Sequence, residues 1–165
     1  MADGEAGPFH AWRKAMATAA CVSLMVGVAG CGGEEGVAED ATVTAYVAAP
    51  LCAGAKRELA SQGGQAGELR VRAVCLPEAR SHAKLNLATL GANARRATED
   101  STTVAYLEAP DPAAARFTRP ILETAEVPWI AGSSGKATMT RLLELVEAAG
   151  SGSLRQSLRE ELHEL

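Results

Sequence analysis

The chain reads as an α/β protein: an open parallel sheet of about four strands flanked by helices. Two observations predict it. Short β-branched, apolar runs alternate with amphipathic stretches of helical period in the order βαβαβαβαα. Strands separated by helices imply right-handed crossovers and a parallel sheet. Composition agrees. The chain has 165 residues, 47% hydrophobic and 22% charged, which suits one folded domain and excludes a disordered chain.

The elements follow in order. Thr42–Ala49 (TVTAYVAA) is a strand ended by Pro50, and Leu51–Gln62 is a helix stopped by Gly63-Gly64. In Leu69–Leu76, Leu69, Val71, Ala73 and Cys75 share one face while Arg70 and Arg72 point the other way, the period-two pattern of a strand. Glu78–Lys84 reads as a polar loop. Leu87, Leu90, Ala94 and Ala97 mark a helix over 87–99, and Thr102–Leu107 is the third strand. Asp111-Pro112 is an N-cap followed by a first helical residue, with Ala114, Phe117, Ile121 and Ala125 as the expected inward face. Val127–Ala131 is the fourth strand, Gly132–Gly135 a tight loop, and Thr138–Ala149 a helix with Met139, Leu142, Leu143 and Val146 inward. Ser153 and Gln156 form a capping box for a last helix striped by Leu154, Leu158, Leu162 and Leu165.

The first thirty residues form an address. Arg13 and Lys14 precede the apolar run Ala15–Val28, the order of charge and apolar core found in export signals. Fourteen helical residues rise only about 21 Å, short of a hydrocarbon core about 30 Å thick. Val28-Ala29-Gly30-Cys31 then resembles the lipobox of bacterial lipoproteins. That resemblance implies lipid attachment at Cys31, cleavage before it, and an extracytoplasmic, membrane-anchored protein; a plain secretory signal or an uncleaved anchor are the alternatives. The expected organisation is an export signal at 1–30, a flexible acidic tether at 31–41 and a single lobe at 42–165. An oxidising compartment favours a bridge between Cys52 and Cys75, the alternative being two buried thiols. The topology supports the bridge. Cys52 starts the first helix and Cys75 ends the second strand, so both fall on the carboxyl rim of the sheet.

Several functions are excluded by what is missing. Sixteen basic against 20 acidic residues, with no basic stripe and only two each of Trp, Tyr and Phe, argue against a nucleic-acid partner. His10, His82 and His163 are scattered and the four cysteines lack zinc spacing, so no metal or cofactor is expected. Glu160 and Glu161 with Arg155 and Arg159 read as a solvated helix face. A phosphate loop ending at Gly135 needs Gly where Ile130 stands, and a nucleophile elbow at Ser134 needs Gly where Lys136 stands. No acid, base or nucleophile cluster survives, and no enzyme is expected. Ligands of open parallel sheets sit beyond the carboxyl ends of the strands. The candidate ligand residues are therefore Ser133 and Ser134, whose hydroxyls and loop N–H groups suit a carboxylate, and Asp111, which also reads as a helix cap.

The runs Leu90–Asp100 (LGANARRATED), Val104–Leu107 (VAYL), Pro120–Pro128 (PILETAEVP) and Met139–Gly150 resemble the first lobe of type I periplasmic solute-binding proteins, in particular the leucine/isoleucine/valine-binding receptors of ABC importers. The resemblance covers roughly residues 42–160 and rests on order and pattern. It implies a lobe that binds a small amino acid or carboxylate at Ser133 and Ser134, with closure by a second subunit or an ABC permease. After the third strand the rim offers Glu108-Ala109-Pro110-Asp111, where Pro110 has no N–H to donate. A degenerate relative without ligand, or an adaptor domain of the cell envelope, are the alternatives.

Overall fold

The alternating segments do lie side by side and run in one direction. The computed structural model describes residues 41–81, 84–150 and 154–163. The expected export signal, Cys31, the expected tether up to residue 40, His10, His82, Ser153 and Leu165 lie outside the described residues, as does the side chain of His163. The element order is β1 (Thr42–Val47), α1 (Ala49–Ser61), β2 (Gln65–Ala66), β3 (Leu69–Cys75), β4 (Arg80–Ser81), β5 (Lys84–Leu85), α2 (Leu87–Glu99), β6 (Thr103–Glu108), α3 (Pro112–Thr124), β7 (Trp129–Ala131), α4 (Gly135–Ala149) and α5 (Leu154–His163).

The main sheet has the order β2-β3-β1-β6-β7. The four expected strands are all parallel: β1 pairs with β3 from Thr42↔Arg70 to Val47↔Cys75, and with β6 on its other side. β6 pairs with β7 from Tyr106↔Trp129 to Glu108↔Ala131. The chain moves outward from β1 to β3, then returns across β1 to β6 and β7. The connections therefore diverge between β1 and β6, which opens a crevice beyond their carboxyl ends.

Side-chain alternation sorts the two faces. Val43, Ala45, Val47, Ala105 and Leu107 belong to the core under α1 and α4, completed by Met139, Leu142 and Val146. Tyr46 and Tyr106 belong to a second core with Ala94, Ala97 and Leu122, under α2 and α3. Leu154 and Leu158 of α5 extend the first core. The Arg155 guanidinium ties α5 to the chain entering β6, donating to the Thr103 carbonyl at 2.6 Å and to the Ser101 carbonyl at 2.8 Å.

Four details differ from the sequence reading. A fifth strand, β2, pairs antiparallel with β3, so the sheet is mixed. The expected loop 78–84 carries a two-stranded hairpin, β4–β5, because Arg80 and Ser81 find backbone partners in Leu85 and Lys84. Helix α4 starts three residues early, at Gly135. In α3 the buried stripe is Ala114, Thr118 and Leu122; Phe117 is exposed. The reason is that polar Thr118 turns inward to a buried acceptor, while Phe117 lies over Gly91 of α2.

One buried hydroxyl is unmatched. Thr103 is fully buried and its Oγ1 finds no partner among the described residues. A buried donor without a partner costs about 1–3 kcal/mol. Thr103→Val keeps the shape, and urea unfolding is expected to show unchanged or increased stability, by up to about 1 kcal/mol. A loss of that size instead would mean that the hydroxyl is bonded.

Candidate functional site

The crevice between the β1 and β6 ends is walled by several segments of the chain. Ala48 after β1 and the first two residues of α1, Ala49 and Pro50, form one side and Pro77–Arg80 after β3 another; Leu90 and Asn93 of α2, Tyr106 and Glu108 of β6, and Asp111 and Ala114 at the start of α3 complete it. Its volume is ≈ 110 Å³.

Period-two geometry puts Tyr106 and Glu108 on the same face of β6. Glu108 is 4% exposed. Its Oε2 accepts from Thr118 Oγ1 at 3.0 Å and from Trp129 Nε1 at 3.0 Å. Burial pushes the Glu108 carboxyl up, against the pull of those two donors. Burial, with the Glu108 charge nearby, also raises the Tyr106 phenol well above its ordinary range. Asn93, 5% exposed, donates from Nδ2 to the Pro77 carbonyl at 3.0 Å and so pins α2 to the loop after β3.

The rim is ordered by charge. Asp111 Oδ1 accepts from the Ala113 and Ala114 amides, which makes it the N-cap of α3, and Oδ2 pairs with Arg80. The Arg80 guanidinium holds the Asp111 carboxyl below the usual carboxylate range, with the capping amides helping. Glu78 Oε1 accepts from the Arg80 amide at 3.0 Å. Cys52 and Cys75 meet at disulfide-bonding distance on the same rim, with Cα atoms 5.6 Å apart.

Of the three expected ligand residues, Asp111 lies on the crevice and Ser133 and Ser134 do not. Ser134 borders a separate open depression with Lys136, Thr140 and Arg141. It is the N-cap residue of α4 but makes no side-chain capping bond; its carbonyl accepts from the Thr138 amide and hydroxyl. The glycines around it serve packing. A Cβ on Gly132 would overlap the Thr138 hydroxyl, and one on Gly135 would overlap the Leu51 carbonyl of α1. The sequence reading placed Glu108 on the rim without a ligand role and gave none to Tyr106 or Asn93. A usable signal was present: a carboxylate closing an otherwise buried strand, two positions after a tyrosine, points both groups to one face.

The two kinds of carboxylate predict opposite pH responses. Asp111 is lowered, as is Asp100, which accepts from the Thr102 hydroxyl and amide and the Tyr46 hydroxyl. Their contribution is present above the ordinary aspartate value of 3.8 and is lost as pH falls through the lower folded values. Glu108 is raised, so the folded state holds its proton more tightly. Its contribution is present below the ordinary value of 4.5 and is lost as pH rises through the folded value. Glu108→Gln is therefore expected to flatten the decline in stability just above pH 4.5 and to leave the acid limb in place, read by urea unfolding from pH 3 to 8. An unchanged decline would remove Glu108 as its source.

Among the described residues, no group of three or more His, Cys, Asp or Glu is placed to hold a metal ion. No helix among them is long and apolar enough to cross a membrane. No family model, curated protein or solved structure matches the chain.

Proposed function

We propose that this chain is an extracytoplasmic, membrane-anchored binding lobe, a non-enzymatic relative of the amino-acid receptors of ABC importers, that takes a small solute at the β1/β6 crevice. The observation that carries the reading is the crevice itself. It lies where connections diverge beyond the carboxyl ends of a parallel sheet, and three polar side chains, all at least nine-tenths buried, wall it. The lipobox-like Val28–Cys31 supports the anchor, and Cys52 and Cys75 at bonding distance suit an oxidising compartment. A crevice of this size on one lobe covers only part of a solute, so a second copy or a permease supplies the opposite wall. Calorimetry of the full-length chain with branched-chain and smaller amino acids tests the binding. Heat that saturates supports it, and no heat at millimolar ligand with any of them removes the transport reading. Intact mass tests the anchor: a chain beginning at Cys31 and carrying diacylglycerol is expected.

A second reading, an interaction domain of the envelope without small ligand, is favoured by a different feature. Strand β7 is an edge of the sheet, and a larger groove of ≈ 620 Å³ runs beside it, lined by Trp129, Arg119, Arg141 and Arg159. Photo-crosslinking from position 141 in intact cells distinguishes the two, since a discrete protein adduct there favours the interaction domain.

A further inference from the structure

We propose that the β1/β6 crevice selects a cationic head group, a primary alkylammonium, and not a carboxylate; this rests on reading the crevice as a binding site.

Charge is the first argument. Among the described residues, Glu78, Glu108 and Asp111 line the crevice against a single cation, Arg80. Arg80 is already engaged by Asp111. An anionic ligand would meet three carboxyl groups and a guanidinium whose charge is already paired. Like charges in a partly desolvated site repel strongly, whereas a cation is drawn in.

Hydrogen-bonding capacity is the second argument. Glu108 uses Oε2 for both of its donors, and Asn93 uses its Nδ2. Glu108 Oε1, Asn93 Oδ1 and Tyr106 Oη make no hydrogen bond among the described residues. Tyr106 is 1% exposed. None of the three is among the atoms sealed from solvent without a partner, the state of Thr103 Oγ1. They therefore keep an opening, and all three residues line the crevice. An ammonium group carries three donors and no acceptor. Three idle oxygens, two on β6 and one on α2, match it; a carboxylate, which only accepts, can use the Tyr106 O–H alone and leaves Glu108 Oε1 and Asn93 Oδ1 idle.

Size is the third. At about 30 Å³ for each water-sized group, ≈ 110 Å³ holds three or four such groups. Leu85, Leu90 and Ala114 supply apolar wall beside the polar end. The occupant is an ammonium with a short alkyl stem, or the amino end of a longer molecule whose remainder lies outside the lobe.

The test uses the full-length chain and three near-isosteric probes: n-propylammonium, propionate and 1-propanol, each titrated by saturation-transfer NMR. Propylammonium is expected to bind in the millimolar range and the other two at least tenfold more weakly. Glu108→Gln keeps an acceptor for Thr118 and Trp129 but removes the charge, and is expected to weaken propylammonium at least tenfold. Tyr106→Phe removes one acceptor and keeps the ring, so a several-fold loss is expected; it carries the test if Glu108→Gln does not fold. Propionate or propanol binding as well as propylammonium, still competed by changes at Tyr106, would overturn the cation assignment and leave the binding lobe standing. Propylammonium binding unchanged in both variants would also overturn the assignment. No binding by any of the three, together with no heat from the amino acids, would overturn both.

Discussion

Replacing Gly135 with alanine is expected to destabilise the protein by about 3 kcal/mol, the upper end of what overpacking typically costs. The cause is the crossing of α1 and α4. A Cβ at position 135 would overlap the Leu51 carbonyl oxygen and stand 2.8 Å from the Ala55 amide nitrogen. These are backbone atoms inside a helix, so they cannot rotate aside as a side-chain tip does. The helices must separate, and Met139, Leu142 and Val146 behind the crossing lose contact with the sheet. Gly54 faces the same crossing from α1, but its Cβ would lie 3.1 Å from the Lys136 amide nitrogen, so Gly54→Ala is expected to cost less. Ser134→Ala, beside Gly135, removes no capping bond and is expected to stay within about 0.5 kcal/mol. Urea unfolding of the three variants checks the order. A Gly135→Ala loss no larger than that of Ser134→Ala would mean that the helices are not in backbone contact.

Removing the bridge between Cys52 and Cys75 is expected to cost about 3 kcal/mol in the chain-entropy view. The two residues are 23 positions apart, and their Cα separation of 5.6 Å falls inside the usual range for a bridge. The link joins the first turn of α1 to the end of β3, next to the Pro77 and Glu78 wall of the crevice. Its loss should therefore loosen that wall as well as lower global stability. The measurement is urea unfolding of the oxidised chain against the Cys52→Ala/Cys75→Ala double variant. Intact mass before and after alkylation supplies the control. Two alkylated thiols at these positions in the oxidised chain would show that no bridge forms, and equal stability of the two forms would remove its contribution.

The strands were legible because their signals are local. β-branched runs and the alternation from Leu69 to Val71 place β3 to within one residue and β1 to within two, although Ala49 and Pro50 open α1 instead of closing β1. The α3 cap was legible for the same reason, since Asp111 bonds to amides only two and three positions away. The buried face of α3 was not. Phe117 is the more hydrophobic residue, but Thr118 turns inward because Glu108, ten positions earlier in the chain, offers it an acceptor. The hairpin β4–β5 was missed because a two-residue strand has no period to read.

The candidate site shows the same division. The sequence by itself determined the order of elements, hence a parallel sheet with Cys52, Cys75 and Asp111 on one rim, because each of those inferences needs only local periodicity and the handedness of a crossover. Only the tertiary structure decided which rim residues share a crevice. Glu108, Asn93, Tyr106 and Arg80 come from three separate segments and meet because the chain reverses direction between β1 and β6. Ser133 and Ser134, which look equally suited on paper, are carried away from it with α4, which packs on the opposite face of the sheet. Burial and non-local hydrogen bonds assign those roles, and both depend on contacts between residues far apart in the chain.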